Sequence, residues 1–394
     1  MPRYPVRREA ALDALVKRFR EGDWTRLEGV PETEAALREF HGGGHVWYLA
    51  SGTAALEALL LGHEIGPGDE VVTTPYTWGA TVSAILAVGA VPVFADIHRD
   101  SGLIDASTVE ACLTEQTRAI LGVHLFGHPC DNPALAAIAR KHGILYFEDG
   151  SQAHGARLHG ERVGRGGDGS AFSCMGLKPL AGSEGGYAIF EDEAAAERAA
   201  LYGKHPRGLS EDASRRLGEA GLLDTLQLGW RPCAFGAELV RAQLPYLDGE
   251  NASRRANANH LRMLLEDVPG VALPPEANGA EGVYHLLSLV YESEVTGVDR
   301  EVFNTRLRES GLGPFVYIRI PIHRMRRLNP GGYEGPRVFW HEQLVRAGVD
   351  YRKISCPSAE WRVEHSVEMV WNWTEENPGA MERIAAAMKS AAGH

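Results

Sequence analysis

Cysteine is scarce and unpatterned in this chain. The five present, Cys112, Cys130, Cys174, Cys233 and Cys356, are odd in number and form no Cys-x-x-Cys pair. That argues against a disulfide framework and a zinc ribbon, and leaves them as small half-buried residues. Long apolar runs are also missing. The most apolar stretch, 82–95, is broken by Gly89 and Pro92, short of the roughly 20 residues a membrane helix needs. Positive charge is in deficit, with 40 Lys and Arg against 52 Asp and Glu and a net of −12. A nucleic-acid binder needs a basic face for its phosphates, so neither nucleic acid nor membrane is an expected partner. There is no fixed-period repeat and no low-complexity segment. Met1 to Glu9 carries charge with no apolar signal region behind it, so a cytoplasmic protein is expected.

What is present is ordinary globular composition, 44% hydrophobic and 23% charged, which excludes a disordered chain. At 394 residues the chain exceeds the ~250–300 at which a single core stops growing. A break near residue 270, at Pro269-Gly270, predicts a large unit over 1–270 and a smaller α+β unit over 271–394. From residue 70 onward, strand and helix patterns alternate. Strands are predicted over 70–74, 91–95, 119–123, 144–147, 170–174 and 186–190, with helices over 78–88 and 134–141 between them. The runs are continuously apolar, which suits a mostly parallel sheet between helices, an α/β fold. Ser107-Thr108-Val109-Glu110 reads as a capping box. Further helices are predicted over 235–266, 300–310 and 379–391, and a strand over 284–291. Ligands in such sheets bind beyond the carboxyl ends of the strands, which makes the residues just after each strand the place to look.

Two patterns there are read as ordinary structure. Gly164-Arg165-Gly166-Gly167-Asp168-Gly169 matches a dinucleotide fingerprint in spelling, but a β-like run follows it where the fingerprint needs a helix, so it is taken as a loop. His124, His128 and Cys130 lie past a strand without a carboxylate cluster to complete a shell, and no metal is expected. Four other features combine. Ser51-Gly52-Thr53 opens a strong helix former and offers free backbone N–H groups at the positive end of the helix dipole, an anion site suited to phosphate. Tyr76 or Trp78 supplies an aromatic face after a strand. Asp149, in Glu148-Asp149-Gly150-Ser151-Gln152, is a strand-end carboxylate that needs a partner. Lys178 sits in a loop of small and apolar residues, where desolvation lowers an amine's pKa and a neutral amine can form a Schiff base. A phosphate site, a stacking aromatic, an acid for a ring nitrogen and a lysine for an aldehyde are together what pyridoxal phosphate requires.

At this point the sequence resembles the DegT/DnrJ/StrS aminotransferases, often called sugar aminotransferases, of the fold-type I pyridoxal phosphate enzymes. The matching stretches run in order from Ser51-Gly52-Thr53-Ala54-Ala55-Leu56 through Pro75-Tyr76-Thr77-Trp78 and Val123-His124-Leu125-Phe126-Gly127. They continue with Asp149-Gly150-Ser151-Gln152-Ala153-His154-Gly155-Ala156, Phe172-Ser173 with Lys178 five residues on, Ser183-Glu184-Gly185-Gly186 and Arg241-Ala242-Gln243-Leu244. The resemblance implies a large domain with a seven-stranded, mostly parallel sheet and a smaller C-terminal domain. It implies that Lys178 carries the Schiff base and Asp149 pairs with the pyridinium nitrogen. By the same resemblance Gln152 approaches the ring hydroxyl, Gly52, Thr53 and Ser173 hold the phosphate, and Trp78 stacks on the ring. It also implies a homodimer, with Arg231, Tyr317 and His323 contacting substrate or the partner subunit. The family's activity would move nitrogen from an amino donor, glutamine or glutamate, to a ketone acceptor on a sugar or cyclitol. The alternative is a lyase resembling amino-hydroxybenzoate synthase, and Lys204-His205-Pro206-Arg207 does not separate the two. Two departures stand out. Gly229-Trp230-Arg231 replaces the family's Asn-x-Arg, and Cys174-Met175-Gly176-Leu177 replaces the common Phe-His after the serine.

Overall fold

A computed structural model describes residues 9–21, 29–203, 211–219, 221 and 226–394; the readings of Met1 to Arg8 and of Lys204 to Arg207 lie outside them. The main sheet has seven strands in the order β1-β9-β8-β5-β4-β2-β3. These are β1 (His45–Leu49), β2 (Glu70–Thr73), β3 (Val91–Phe94), β4 (Thr117–Val123), β5 (Leu145–Asp149), β8 (Gly169–Ser173) and β9 (Gly186–Phe190). The run from β3 to β8 is parallel, and only β9 runs against its neighbours. This is the expected α/β sheet. Its strands are short and almost wholly buried, as helices on both faces require.

Three short strands, β6 (Arg157–Leu158), β7 (Glu161–Arg162) and β11 (Ala280–Glu281), form a small separate sheet. The C-terminal part builds a third sheet from β10 (Val271–Ala272), β12 (Leu286–Tyr291) and β13 (Ser366–Val370). The helix Pro378–Ala392 covers it, and Leu261 and Leu265 of the helix Leu247–Leu265 join the same core. Another core ties the parts together, with Tyr76, Val123 and Phe126 packed with Leu286, Ile318 and Tyr351.

Two local readings are corrected. The helix predicted over 235–266 is two helices, Ala234–Gln243 and Leu247–Leu265, joined by a 3₁₀ turn, Leu244–Tyr246. Pro245 occupies that turn, and proline cannot donate to a continuing helix. The capping box at Ser107 to Glu110 does not form. Asp105 is the cap, its Oδ1 accepting from the Ser107 N–H at 2.9 Å, and the helix Ala106–Val109 is one turn long.

The Gly164 to Gly169 stretch is a loop that enters β8, and it has a specific task. Glu148, the penultimate residue of β5, is fully buried. Its carboxylate accepts from the Gly164 and Gly166 N–H groups at 2.9 and 2.6 Å, from Asn132 Nδ2 at 2.7 Å and from His124 Nε2 at 2.8 Å. The Nδ1 of His124 accepts the Cys130 N–H at 3.0 Å, which leaves Nε2 to face Glu148. Burial pushes the Glu148 carboxyl up, but its donors outweigh burial and hold it below the usual carboxylate value. His124 and Cys130 are thus spent on anchoring Glu148. Removing an ionised group that satisfies four buried donors should be expensive. Glu148→Ala should lose about 3 kcal/mol of stability in chemical denaturation of the cofactor-free chain; a loss below about 1 kcal/mol would show that the loop finds its own partners.

Candidate active site

Past the carboxyl ends of β2, β4, β5 and β8 lies a cavity of about 380 Å³. Gly52, Thr53, Trp78, Asp149, Gln152, Ser173, Lys178 and Tyr317 all line it. One pocket therefore collects residues spread over 266 positions of sequence, and it includes every residue predicted to hold the cofactor.

One end of the cavity, at Gly52 and Ser173, is built by close packing. Ser51 caps the helix Gly52–Gly62, its Oγ accepting from the Ala54 N–H at 3.1 Å. A Cβ on Gly52 would stand 2.6 Å from Ser173 Cβ, and one on Gly186 would stand 2.4 Å from the Gly52 nitrogen. Only glycine lets the helix start press against β8 and β9. Gly52 and Thr53, whose N–H groups have no intrahelical acceptor, thereby line the cavity beside Ser173.

Asp149 is 4% exposed. Its Oδ2 accepts from Thr81 Oγ1 at 2.8 Å and its Oδ1 from the Ser151 N–H at 3.1 Å. Thr81 also meets Thr77 Oγ1 at 3.1 Å. These contacts fix the plane of the carboxylate and leave it lone pairs toward the cavity. Thr81, in the first turn of the helix Gly79–Ala87, escaped the sequence reading. The spacing of Thr77 and Thr81, one helical turn apart, was the available signal.

Lys178 lies in the loop between β8 and β9. Backbone bonds from Cys174 to Gly185, Gly176 to Ser183 and Gly182 to Cys174 close that loop. The side chain is 7% exposed and makes no hydrogen bond among the described residues. Burial, only partly opposed by Asp149 and Cys174, brings the Lys178 amine down to about 8. Gln152 is held at both ends, its Oε1 accepting from the Phe126 N–H at 2.8 Å and its Nε2 donating to Tyr317 Oη at 3.1 Å. To make the first bond Phe126 adopts φ 57°, a left-handed conformation that costs a bulky residue energy and recurs at functional sites. Burial keeps the Tyr317 phenol protonated, so it has a proton to offer into the cavity. Its ring lies 5.4 Å from that of Trp78, which is 56% exposed at the mouth.

The structure does not bring two predicted residues to this cavity. Arg231 is exposed. His323 is buried, its Nε2 3.0 Å from Glu360. Gly229 is exposed, with open space where a side chain would stand. Among the described residues no group of three or more His, Cys, Asp or Glu is placed to hold a metal ion, and no helix is long and apolar enough to cross a membrane.

Comparison with known proteins agrees with this geometry. Residues 5–338 match the DegT/DnrJ/EryC1/StrS aminotransferase family. The chain belongs to that family. This aminotransferase is 37% identical over 319 residues, 79% of its length and 81% of the relative's, to the erythromycin biosynthesis sensory transduction protein EryC1 of Saccharopolyspora erythraea. It is 36% identical over 314 residues, 76% and 72% of the two lengths, to the L-glutamine:2-deoxy-scyllo-inosose aminotransferase of Streptomyces kanamyceticus. Among solved structures it superimposes on DesV of S. venezuelae, in complex with a ketimine intermediate, with a TM-score of 0.81 at 28% identity over all of both chains. It superimposes on 3-amino-5-hydroxybenzoic acid synthase with a TM-score of 0.83 at 26% identity over 99% and 98%. The aminotransferase uses pyridoxal phosphate, and its residues fit that group. The glycine-lined helix start suits a phosphate, Asp149 a protonated ring nitrogen, and the unpartnered Lys178 an aldehyde.

The reactivity of Lys178 should follow its desolvation. In the cofactor-free chain, modification of Lys178 by an amine reagent should rise about tenfold per pH unit from pH 6 and level off near pH 8. A rise continuing to pH 10 would show an ordinary, hydrated amine.

Proposed function

We propose that this aminotransferase takes nitrogen from glutamine or glutamate and delivers it to the ketone of a sugar or cyclitol. It would work as a cytoplasmic homodimer, in the making of an amino sugar, aminocyclitol or antibiotic. The observation that carries the reading is the buried, unpartnered amine of Lys178 in one cavity with the fixed Asp149 carboxylate. The scyllo-inosose aminotransferase likeness supports the donor and the cyclitol class.

Pyridoxal phosphate, when bound, supplies an aldehyde that accepts the amino group and a ring that stores the electron pair released at the donor's α-carbon. The chain's own residues do the rest. The helix start at Gly52 and Thr53, with Ser173, holds the phosphate. Asp149, aligned by Thr81 and Ser151, keeps the ring nitrogen protonated through a charge-assisted bond. Gln152, locked between Phe126 and Tyr317, presents its amide beside the ring hydroxyl. Trp78 covers the exposed ring face. Lys178 holds the aldehyde at rest and, once released as an amine near neutrality, takes a proton from the donor's α-carbon and returns it on the other side of the exchange. The side chain on Tyr317 offers its O–H to an acceptor hydroxyl.

The proposed dimer gives Arg231 its purpose. An exposed guanidinium without a partner among the described residues can meet phosphate or a substrate carboxylate across an interface. Gly229 contributes no side chain there, so the partner's share in holding the phosphate is smaller than in relatives with asparagine.

Borohydride should fix the cofactor on the peptide that contains Lys178, and the protein should move nitrogen from ¹⁵N-glutamine to a ketocyclitol or keto-sugar. Label on another lysine would refute the assignment. Water loss from an amino-keto ring without any donor would make the chain a lyase like 3-amino-5-hydroxybenzoic acid synthase. Bound cofactor with no turnover on any donor would make it a regulator.

A further inference from the structure

A second cavity, of about 350 Å³, lies in the C-terminal part of the chain. Arg300, Arg308 and Arg319 line it with Glu301, Asn304 and Val316. Three guanidinium groups against one carboxylate make this a positive pocket in a chain of net charge −12. Their commitments differ. Arg300 spends one nitrogen on the Val363 carbonyl at 2.7 Å, and Arg308 pairs with Glu301 at 2.8 Å. Arg319 is exposed and makes no hydrogen bond or ion pair among the described residues. Asn304 is 1% exposed, and its Oδ1 has no hydrogen-bond partner. A buried acceptor left in that state is costly and calls for a hydroxyl of a ligand or a water to donate to it.

We propose that this cavity binds a small hydroxyl-bearing dianion, its charged end held by Arg319 and Arg308 in the forked geometry that guanidinium offers to phosphate and carboxylate oxygens, and its hydroxyl donating to Asn304 Oδ1. Its size admits a phosphate ester or a dicarboxylic acid and not a macromolecule.

The site is separate from the catalytic cavity, and one stretch of backbone serves both. Val316 lines one and its neighbour Tyr317 lines the other. The backbone between them is held to β13, through Phe315 paired with Glu368 and the Tyr317 N–H bonded to Glu368 Oε2 at 2.9 Å. A ligand drawing Arg319 inward acts on the segment that positions Tyr317, and through it on the Trp78 face 5.4 Å away.

Calorimetric titration of the cofactor-loaded enzyme at low salt and pH 8, with glycerol 3-phosphate and with malate, tests the site. One probe should bind saturably, and the tighter one assigns phosphate esters or dicarboxylic acids. Arg319→Ala and Arg308→Ala should each weaken it by about tenfold, as loss of a charge-assisted bond does, while Arg346→Ala, an exposed arginine outside the cavity, should not. Binding should also change Trp78 fluorescence in the parent enzyme and not in Arg319→Ala. Absence of saturable binding by either probe at millimolar concentration, or equal affinity in the Arg319 and Arg346 variants, would overturn the proposal.

Discussion

Two acidic residues in succession, Glu148 and Asp149, end the central strand β5, and both are buried. Adjacent strand residues point to opposite faces of a sheet, so one set of donors cannot serve both. Glu148 is met on its side by a histidine, an asparagine and a glycine loop. Asp149 is met on the other by a threonine and the turn after the strand. A buried carboxylate short of donors is unstable, so the chain before, after and beside β5 is bound to assume these positions. The pocket's floor follows from that requirement.

The opposite wall answers to sterics. Helix Gly52–Gly62, β8 and β9 meet so closely that a single methyl on Gly52 or Gly186 would collide with backbone or Ser173. That contact puts the N-terminal end of the helix beside the loop carrying Lys178. The loop in turn keeps the amine out of water. One cavity thus holds a Lys178 amine that burial brings down to about 8 and an Asp149 carboxylate whose orientation Thr81 and Ser151 fix, a base near neutrality beside a placed acceptor.

Much of this was legible in the sequence because strand ends and helix starts announce themselves locally. The runs at 70–74, 91–95, 119–123 and 186–190 differ from the strands found by no more than two residues at an end, and the ligand-bearing positions just past them converge as the parallel fold requires. What escaped depends on partners far away. Thr81 looks like any threonine in a first helical turn until Asp149, 68 residues on, supplies its acceptor. The loop glycines after Gly164 matter only because a buried Glu148 needs their N–H groups. Pro245 was visible, yet the apolar pattern continued past it, and the chain resolved the conflict with a 3₁₀ turn. Arg231 is exposed, and its role rests on the proposed dimer.

The central claim is that Asp149, aligned by Thr81 and Ser151, fixes the charge of the cofactor's ring. ¹⁵N NMR of the enzyme loaded with ring-labelled pyridoxal phosphate reads that charge directly. The account expects the ring nitrogen to keep a protonated chemical shift from pH 6 to pH 9, and to lose it in Asp149→Ala. A shift that moves to the neutral value within that range in the parent enzyme, or that is the same in both proteins, would contradict it.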